Sequence, residues 1–229
     1  MGSNLLFFEK SRFDPIFGIL KRMGIDYSLY LVADADYAPG RGLPGLVEAA
    51  VRGGVTIVQL RAKTLAGRGF VELAQAVARV LAGTGVPLIV NDRLDVALAC
   101  GAAGVHLGQD DLPVPLVRRI LGPAGTIGVS VNAPHEARRA ERDGADYVGA
   151  GPAFATATKA TDLRVLGPEG IAGIKRAVGI PVVAIGGIGA GNAASIAAAG
   201  ADGIAVVSAI LGAADARQAA EDLRKAFKR

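Results

Sequence analysis

Thr156, Thr158 and Lys159 close a run, ADYVGAGPAFATATK from Ala145 to Lys159, that opens as a short apolar strand and breaks at Gly149, Gly151 and Pro152. Glycine lets backbone N–H groups come close to a ligand. Hydroxyls add hydrogen bonds and an ammonium adds charge. Such a loop suits an anion. Taken alone it also suits a solvated loop, so the other polar positions have to decide.

Those positions recur just after apolar runs. In VQLRAK, the residues Gln59, Arg61 and Lys63 fall on one side of an extended segment, and two cations with an amide form a surface for a multiply charged anion. Asn91-Asp92 follows the next run, and His106 with Gly108-Gln109-Asp110-Asp111 follows the one after. Asp92 alone reads as a helix N-cap, and Asp110 and Asp111 as a solvated loop. As a pair on adjacent strands, Asp92 and Asp111 would repel unless a divalent cation lay between them. Few carboxylates completed by phosphate oxygens and water is how magnesium is usually held. Ser130 and Asn132 follow the fifth run, and either suits the cap of the next helix. Gly186-Gly187-Ile188-Gly189 and Val207-Ser208 end the last two apolar runs. His106 reads as structural rather than catalytic, His135 as a surface residue at a helix start, and Cys100 as a buried structural thiol.

These groups need a scaffold that delivers strand ends to one place, and the chain has one. From Ser28 onward a short β-branched or aliphatic run alternates with a Gly-rich or polar loop and an Ala-rich helical stretch. The runs are Leu29–Val32, Thr56–Leu60, Leu88–Val90, Gly104–Leu107, Thr126–Val129, Tyr147–Gly149, Val182–Ile185 and Gly203–Val207. The helices are expected at Leu43–Arg52, Phe70–Ala82, Arg93–Ala99, Val114–Leu121, Pro134–Asp143, Pro168–Val178, Asn192–Ala199 and Ala216–Phe227. Gly53, Gly83, Gly101, Gly144, Gly179 and Gly200 stand where a helix C′ glycine is wanted. The runs are continuously apolar, as in a parallel sheet buried on both faces. Eight such repeats predict a single-domain (β/α)8 TIM barrel over 27–229, behind an N-terminal helical extension over 1–26. A doubly wound open sheet is the competitor, but no G-x-G-x-x-G follows the first strand.

A barrel carries its active site at the C-terminal ends of its strands, with a phosphate site after strands seven and eight. The GG turn and the start of the next short helix would supply N–H groups there. Two anion sites follow. One is a monophosphate site at Thr156–Thr158, Gly187, Val207 and Ser208. The other is a metal-assisted site at Arg61, Lys63, Asp92 and Asp111, with Lys159 a candidate for it.

Composition agrees with a small-molecule site. The chain has 229 residues, 51% hydrophobic, with 32 glycines and no tryptophan, enough for one well-buried domain. One cysteine excludes an internal disulfide and any multi-cysteine zinc site. A net charge of +4 suits an anionic small molecule as well as a nucleic acid, but no dense basic block is interleaved with aromatics, and no nucleic-acid partner is expected. No apolar run is long enough to span a bilayer. The start, MGSNLLFFEKSRF, matches neither a secretory signal nor a myristoylation site. A cytoplasmic protein without membrane partners is expected; self-association stays open.

The runs VTIVQLRAK, LIVNDRLDVALACGAAGVHLGQDD, IGVSVNAPHEA, ADYVGAGPAFATATK and VVAIGGIGAGN…GADGIAVVSAI resemble, in the same order, those of the thiamine phosphate synthase family. The resemblance covers Tyr27 to the C-terminus, and its specificity lies in the combination of NDRxD, GVHLGQxD and a TxTK loop. It implies a transferase that joins a pyrimidine diphosphate to a thiazole monophosphate, giving thiamine phosphate and pyrophosphate, with Mg2+ as cofactor. By this resemblance Gln59, Leu60, Arg61, Ala62, Lys63, Asn91, Ser130 and Lys159 would hold the pyrimidine diphosphate. Asp92 and Asp111 would hold the metal. Thr156, Ala157, Thr158, Gly187, Val207 and Ser208 would hold the thiazole phosphate. Catalysis would rest on Arg61, Lys63, Lys159 and Ser130.

Three features depart from the family pattern. Ala155 and Ala157 stand where proline often precedes each threonine, Ala62 stands where an acidic residue is frequent, and the N-terminal segment is longer than the family core needs. Three other readings share the fold. A sugar-phosphate isomerase or epimerase would share the monophosphate site but need no second cationic site. A thiazole tautomerase would rely on a histidine and lack the diphosphate and metal set. A non-catalytic phosphate-ligand-binding protein would have lost the aspartate pair.

Overall fold

The computed structural model describes residues 24–37, 40–156 and 163–228. The expected helical extension, residues 1–26, lies outside the described residues apart from 24–26. Eight parallel strands close into a barrel in sequence order, β8 pairing back onto β1. They are β1 (Leu29–Asp34), β2 (Ile57–Arg61), β3 (Leu88–Asn91), β4 (Gly104–Leu107), β5 (Thr126–Val131), β6 (Tyr147–Ala150), β7 (Val182–Ile185) and β8 (Gly203–Val206). Nine helices are present among the described residues. They are α1 (Leu43–Arg52), α2 (Gly67–Leu81), α3 (Leu94–Cys100), α4 (Val114–Leu121), α5 (Pro134–Arg142), α6 (Gly167–Lys175), α7 (Ala193–Ala198), α8 (Ser208–Leu211) and α9 (Ala216–Phe227).

Strand side chains alternate between two cores. One parity, including Leu29, Leu31, Val58, Leu60 and Val90, packs outward against the helices. The other fills the lumen with Tyr27, Tyr30, Val32, Ile57, Ile89, Tyr147, Val183 and Ala205. The run of both parities through apolar residues is why these strands read as continuous rather than alternating. The ring of helices closes where α9 lies on α1. A Cβ on Gly53 would stand 2.3 Å from the Arg217 carbonyl oxygen, so this contact needs glycine. Asp215 caps α9 by accepting the N–H groups of Arg217 and Gln218 at 2.9 and 3.0 Å.

Several strands run further than the apolar pattern predicts. β1 reaches Asp34, β2 Arg61, β3 Asn91, β5 Val131 and β6 Ala150. The polar end residues stay in register, Asp34 opposite Arg61 and Asn91 opposite His106. A residue there need not be apolar, because it faces the open mouth rather than the core. The glycine expectations hold at Gly83, Gly101, Gly144 and Gly200, all with positive φ. At the first helix the left-handed position is Gly54 (φ 101), one beyond Gly53. Gly179 is not left-handed. α6 has already ended at Lys175, and the Gly179 N–H instead donates to Glu141 at 2.9 Å.

Candidate active site

The strand ends deliver Gln59, Arg61, Lys63, Asn91, Asp92, Asp111 and Ser130 to one cavity of about 500 Å³ that runs down into the lumen. A more open chamber of about 700 Å³ adjoins it, lined by Asp36, Tyr37, Ala155 and Asn192. The two share Asp34, Arg61, Thr156, Gly187, Ile188 and Ser208. Leu60 and Ala62 have the opposite parity; their side chains lie in the outer core, so only their backbone could serve a ligand. Val207 lines the inner cavity beside Ser208. Ala157, Thr158 and Lys159 lie outside the described residues.

Arg61 is anchored by an acid that the apolar pattern hides. Its Nη1 donates to Asp34 Oδ2 at 2.5 Å, and Asp34 is only 5% exposed. Asp34 follows Tyr30 and Val32 at the strand period, so alternation carried to the end of β1 would have found it. Asp36 accepts the Lys63 N–H at 2.7 Å and the Thr64 hydroxyl, and these hold its carboxyl below the usual carboxylate range.

Lys63 Nζ donates to Asp92, whose own backbone is unusual. Asp92 has φ 60, the left-handed region that Asp tolerates better than most residues. The Arg93 N–H reaches back to the Asn91 carbonyl at 2.7 Å, closing a γ-turn centred on Asp92. Asp92 is therefore not an N-cap; the α3 cap position is Arg93, without a side-chain cap. The Asp111 carboxyl accepts the Gly108 N–H at 2.6 Å and lies within hydrogen-bonding reach of Asp92. Burial and then the Asp92 carboxylate push the Asp111 carboxyl above its ordinary range. Oxygen donors in mutual repulsion are the chemistry a hard divalent cation relieves, so this pair fits one. Among the described residues no group of three or more His, Cys, Asp or Glu forms a complete cage. A pair fits an ion that takes its other oxygens from water and phosphate.

Neither Ser130 nor Asn132 caps α5. Asn132 Nδ2 donates to the carbonyls of Gly151 and Arg164 at 2.8 and 3.0 Å, tying both ends of the β6 loop. Glu136 does the capping, accepting the N–H groups of Asn132 and Ala133. Ser130 Oγ instead meets His106 Nε2 at 2.9 Å, so the histidine faces the lumen. On the second side of the mouth, the left-handed Gly187 (φ 65) sits beneath the β6 loop. A Cβ there would stand 2.5 Å from the Ala155 carbonyl oxygen. Asn192 braces this turn, donating to Gly187 O and accepting from Gly189 N, both at 2.9 Å.

Residues 29–210 match the family described as thiamine monophosphate synthase. The chain belongs to this family. It is 50% identical over 204 residues to the thiamine-phosphate synthase of Syntrophomonas wolfei, covering 89% of this chain and 98% of that one. The thiamine-phosphate synthase of Albidiferax ferrireducens is 52% identical over 197 residues, 86% of this chain and 90% of that one. The solved thiamine phosphate pyrophosphorylase from Pyrococcus furiosus superposes with a TM-score of 0.81 at 40% identity, covering 89% of this chain and 96% of that one. Thiamine monophosphate synthases are transferases that form thiamine phosphate and release pyrophosphate.

Proposed function

We propose that this chain condenses an aminopyrimidine diphosphate with a thiazole monophosphate, and that its two adjoining chambers divide the substrates between them. The observation that carries this reading is the sharing of Arg61, Thr156, Gly187 and Ser208 by two cavities. Two phosphorylated ligands can then lie side by side, their reacting atoms meeting at the shared wall. The inner cavity, with Gln59, Lys63, Asn91 and Ser130, takes the pyrimidine diphosphate. The outer chamber, with the Gly187 turn and Thr156, takes the thiazole phosphate.

In the reaction the bond from the pyrimidine methylene carbon to the diphosphate oxygen breaks, and the diphosphate leaves with the electron pair. The thiazole nitrogen gives its lone pair to the same carbon. No proton has to leave the nucleophile, which accounts for a site without a poised general base. Arg61 and Lys63 meet the negative charge that develops on the leaving group, and we assign the same task to Lys159. Asp34 keeps the Arg61 guanidinium aimed at the shared wall. Asp92 and Asp111 are the residues that would hold magnesium, which would add charge stabilisation on the departing diphosphate. Both imidazole nitrogens of His106 are engaged, by Tyr147 and Ser130, which disfavours the histidine-driven tautomerase reading. The substrates are small soluble phosphate esters, which suits a cytoplasmic setting.

The test is to incubate the purified protein with both substrates and magnesium and follow both products. Thiamine phosphate and pyrophosphate should form in equal amounts and stop on chelation. Absence of product with thiazole phosphate still bound would overturn the synthase reading and favour a ligand-binding role.

A further inference from the structure

Five polar side chains from five strands form one hydrogen-bonded chain across the lumen. Gln59 Nε2 donates to the Tyr30 hydroxyl at 3.0 Å. The Tyr30 and Tyr147 hydroxyls are 2.8 Å apart, spanning the barrel from β1 to β6. Tyr147 Oη lies 3.0 Å from His106 Nδ1, and His106 Nε2 lies 2.9 Å from Ser130 Oγ. The fold makes room for this chain. A Cβ on Gly128 would stand 2.1 Å from Tyr147 Cζ and 2.5 Å from His106 Nδ1, and one on Gly149 would stand 3.0 Å from His106 Cε1. Burial keeps both phenols protonated, since each is pushed well above its ordinary range.

Such a chain has a direction. The phenol pair could run either way and the imidazole could take either tautomer, but with the Gln59 amide giving an N–H to Tyr30 the arrangement consistent from end to end passes the Tyr30 proton to Tyr147 and the Tyr147 proton to His106 Nδ1. In that arrangement the imidazole proton is on Nε2 and points at Ser130 Oγ. The Ser130 hydroxyl proton is then left to donate elsewhere. At the other end Nε2 of Gln59 is turned to Tyr30, where one of its two N–H bonds is used, and the acceptor this cavity-lining residue keeps for a ligand is its carbonyl oxygen.

We propose that Tyr30, Tyr147 and His106 are positioning residues that make Gln59 an acceptor and Ser130 a donor towards the inner cavity. The site thereby selects a ring with an amino group on one side and an acceptor, a ring nitrogen or diphosphate oxygen, on the other. A ring bearing a carbonyl in place of the amino group sets oxygen against oxygen at Gln59. The ligand in this statement rests on the proposed function; the direction of the chain does not.

The direction is read without any ligand. The protein has only two histidines, so long-range proton–nitrogen correlation spectra of nitrogen-15-labelled histidine, with His135→Gln as the assignment control, report His106 alone. The expected pattern is a proton on Nε2; a proton on Nδ1 in the wild type overturns the proposal. Tyr147→Phe, which keeps the ring, should shift His106 towards the other tautomer. It should also lower kcat about five- to tenfold, the scale of one hydrogen bond, with KM for the thiazole phosphate unchanged. Tyr30→Phe should narrow the preference for the aminopyrimidine diphosphate over its oxo counterpart, because the Gln59 amide is free to turn. Unchanged tautomer and turnover in Tyr147→Phe, or unchanged preference in Tyr30→Phe, would overturn it. A wild type that makes no thiamine phosphate would instead defeat the synthase reading and leave the tautomer test standing.

Discussion

The two ends of the barrel settle their charges differently. At the N-terminal end Asp146, Asp202 and Glu141 are all satisfied by the chain itself. Asp146 accepts Arg118 Nη2 at 2.5 Å and the Ile127 N–H at 2.8 Å. Asp202 accepts Lys175 Nζ and the Val182 N–H, both at 2.7 Å. Glu141 accepts the N–H groups of Gly179 and Ile180. Arg118 also donates to the carbonyls of Gly122, Gly125 and Gly144, stitching α4 to two turns. At the C-terminal end Asp34, Asp36 and Glu136 also have partners in the chain, but one pair of acids is set face to face. Asp111 lies against Asp92, and the Lys63 partner of Asp92 is more than half exposed. One end is complete as folded. The other is left with like charges in contact, a state that ligands rather than the chain can resolve. That division is the usual one in this architecture, with stability at one face and chemistry at the other.

Substitutions at the two ends should therefore part activity from stability. The largest effect is expected from Asp92→Ala, which should lower turnover by about 100-fold or more while leaving the denaturant midpoint near wild type. Paired kinetics and urea unfolding check this, and near-normal turnover would break the comparison. Arg118→Ala should do the reverse. Losing a charged partner and several carbonyl contacts should cost about 2–3 kcal/mol of stability, with turnover of the folded fraction within about twofold of wild type. Asp111→Asn sharpens the contrast further. It keeps an acceptor for the Gly108 N–H but removes one of two facing charges, so it should raise stability by about 0.5–1 kcal/mol while turnover collapses. A thermal melt with chelator present reads the first effect. The smallest effect concerns Cys100, the last residue of α3, which takes part in neither set of contacts. Burial pushes its thiol above the ordinary range, so alkylation at neutral pH should be slower than for a free thiol and should leave turnover unchanged.

The fold was legible because its parts are local. Continuous apolar runs set the strands, and left-handed glycines such as Gly101 and Gly144 mark helix ends within their own few residues. Much of the site was legible for the same reason, since Gln59, Arg61 and Lys63 share one parity of one strand. What escaped depends on distant contacts. Asp34 is a lumen residue only because β1 continues past its apolar run to pair with Arg61. The tyrosine contact joins residues 117 positions apart, and nothing near Tyr30 or Tyr147 in the sequence signals it. His106 read as structural because a lone histidine in an apolar strand usually is. Its hydrogen bond to Ser130 exists only once β4 and β5 are paired. The γ-turn at Asp92 is a backbone feature that residue types alone do not encode.

With Asp92 and Asp111 in contact, the C-terminal face is electrostatically incomplete until its ligands arrive. Thermal unfolding of the full chain with magnesium alone, with inorganic pyrophosphate alone, and with both together measures this. The pair should raise Tm by more than the sum of the separate shifts, and Asp92→Ala should abolish the excess. Additive shifts, or an excess that survives in Asp92→Ala, would contradict it.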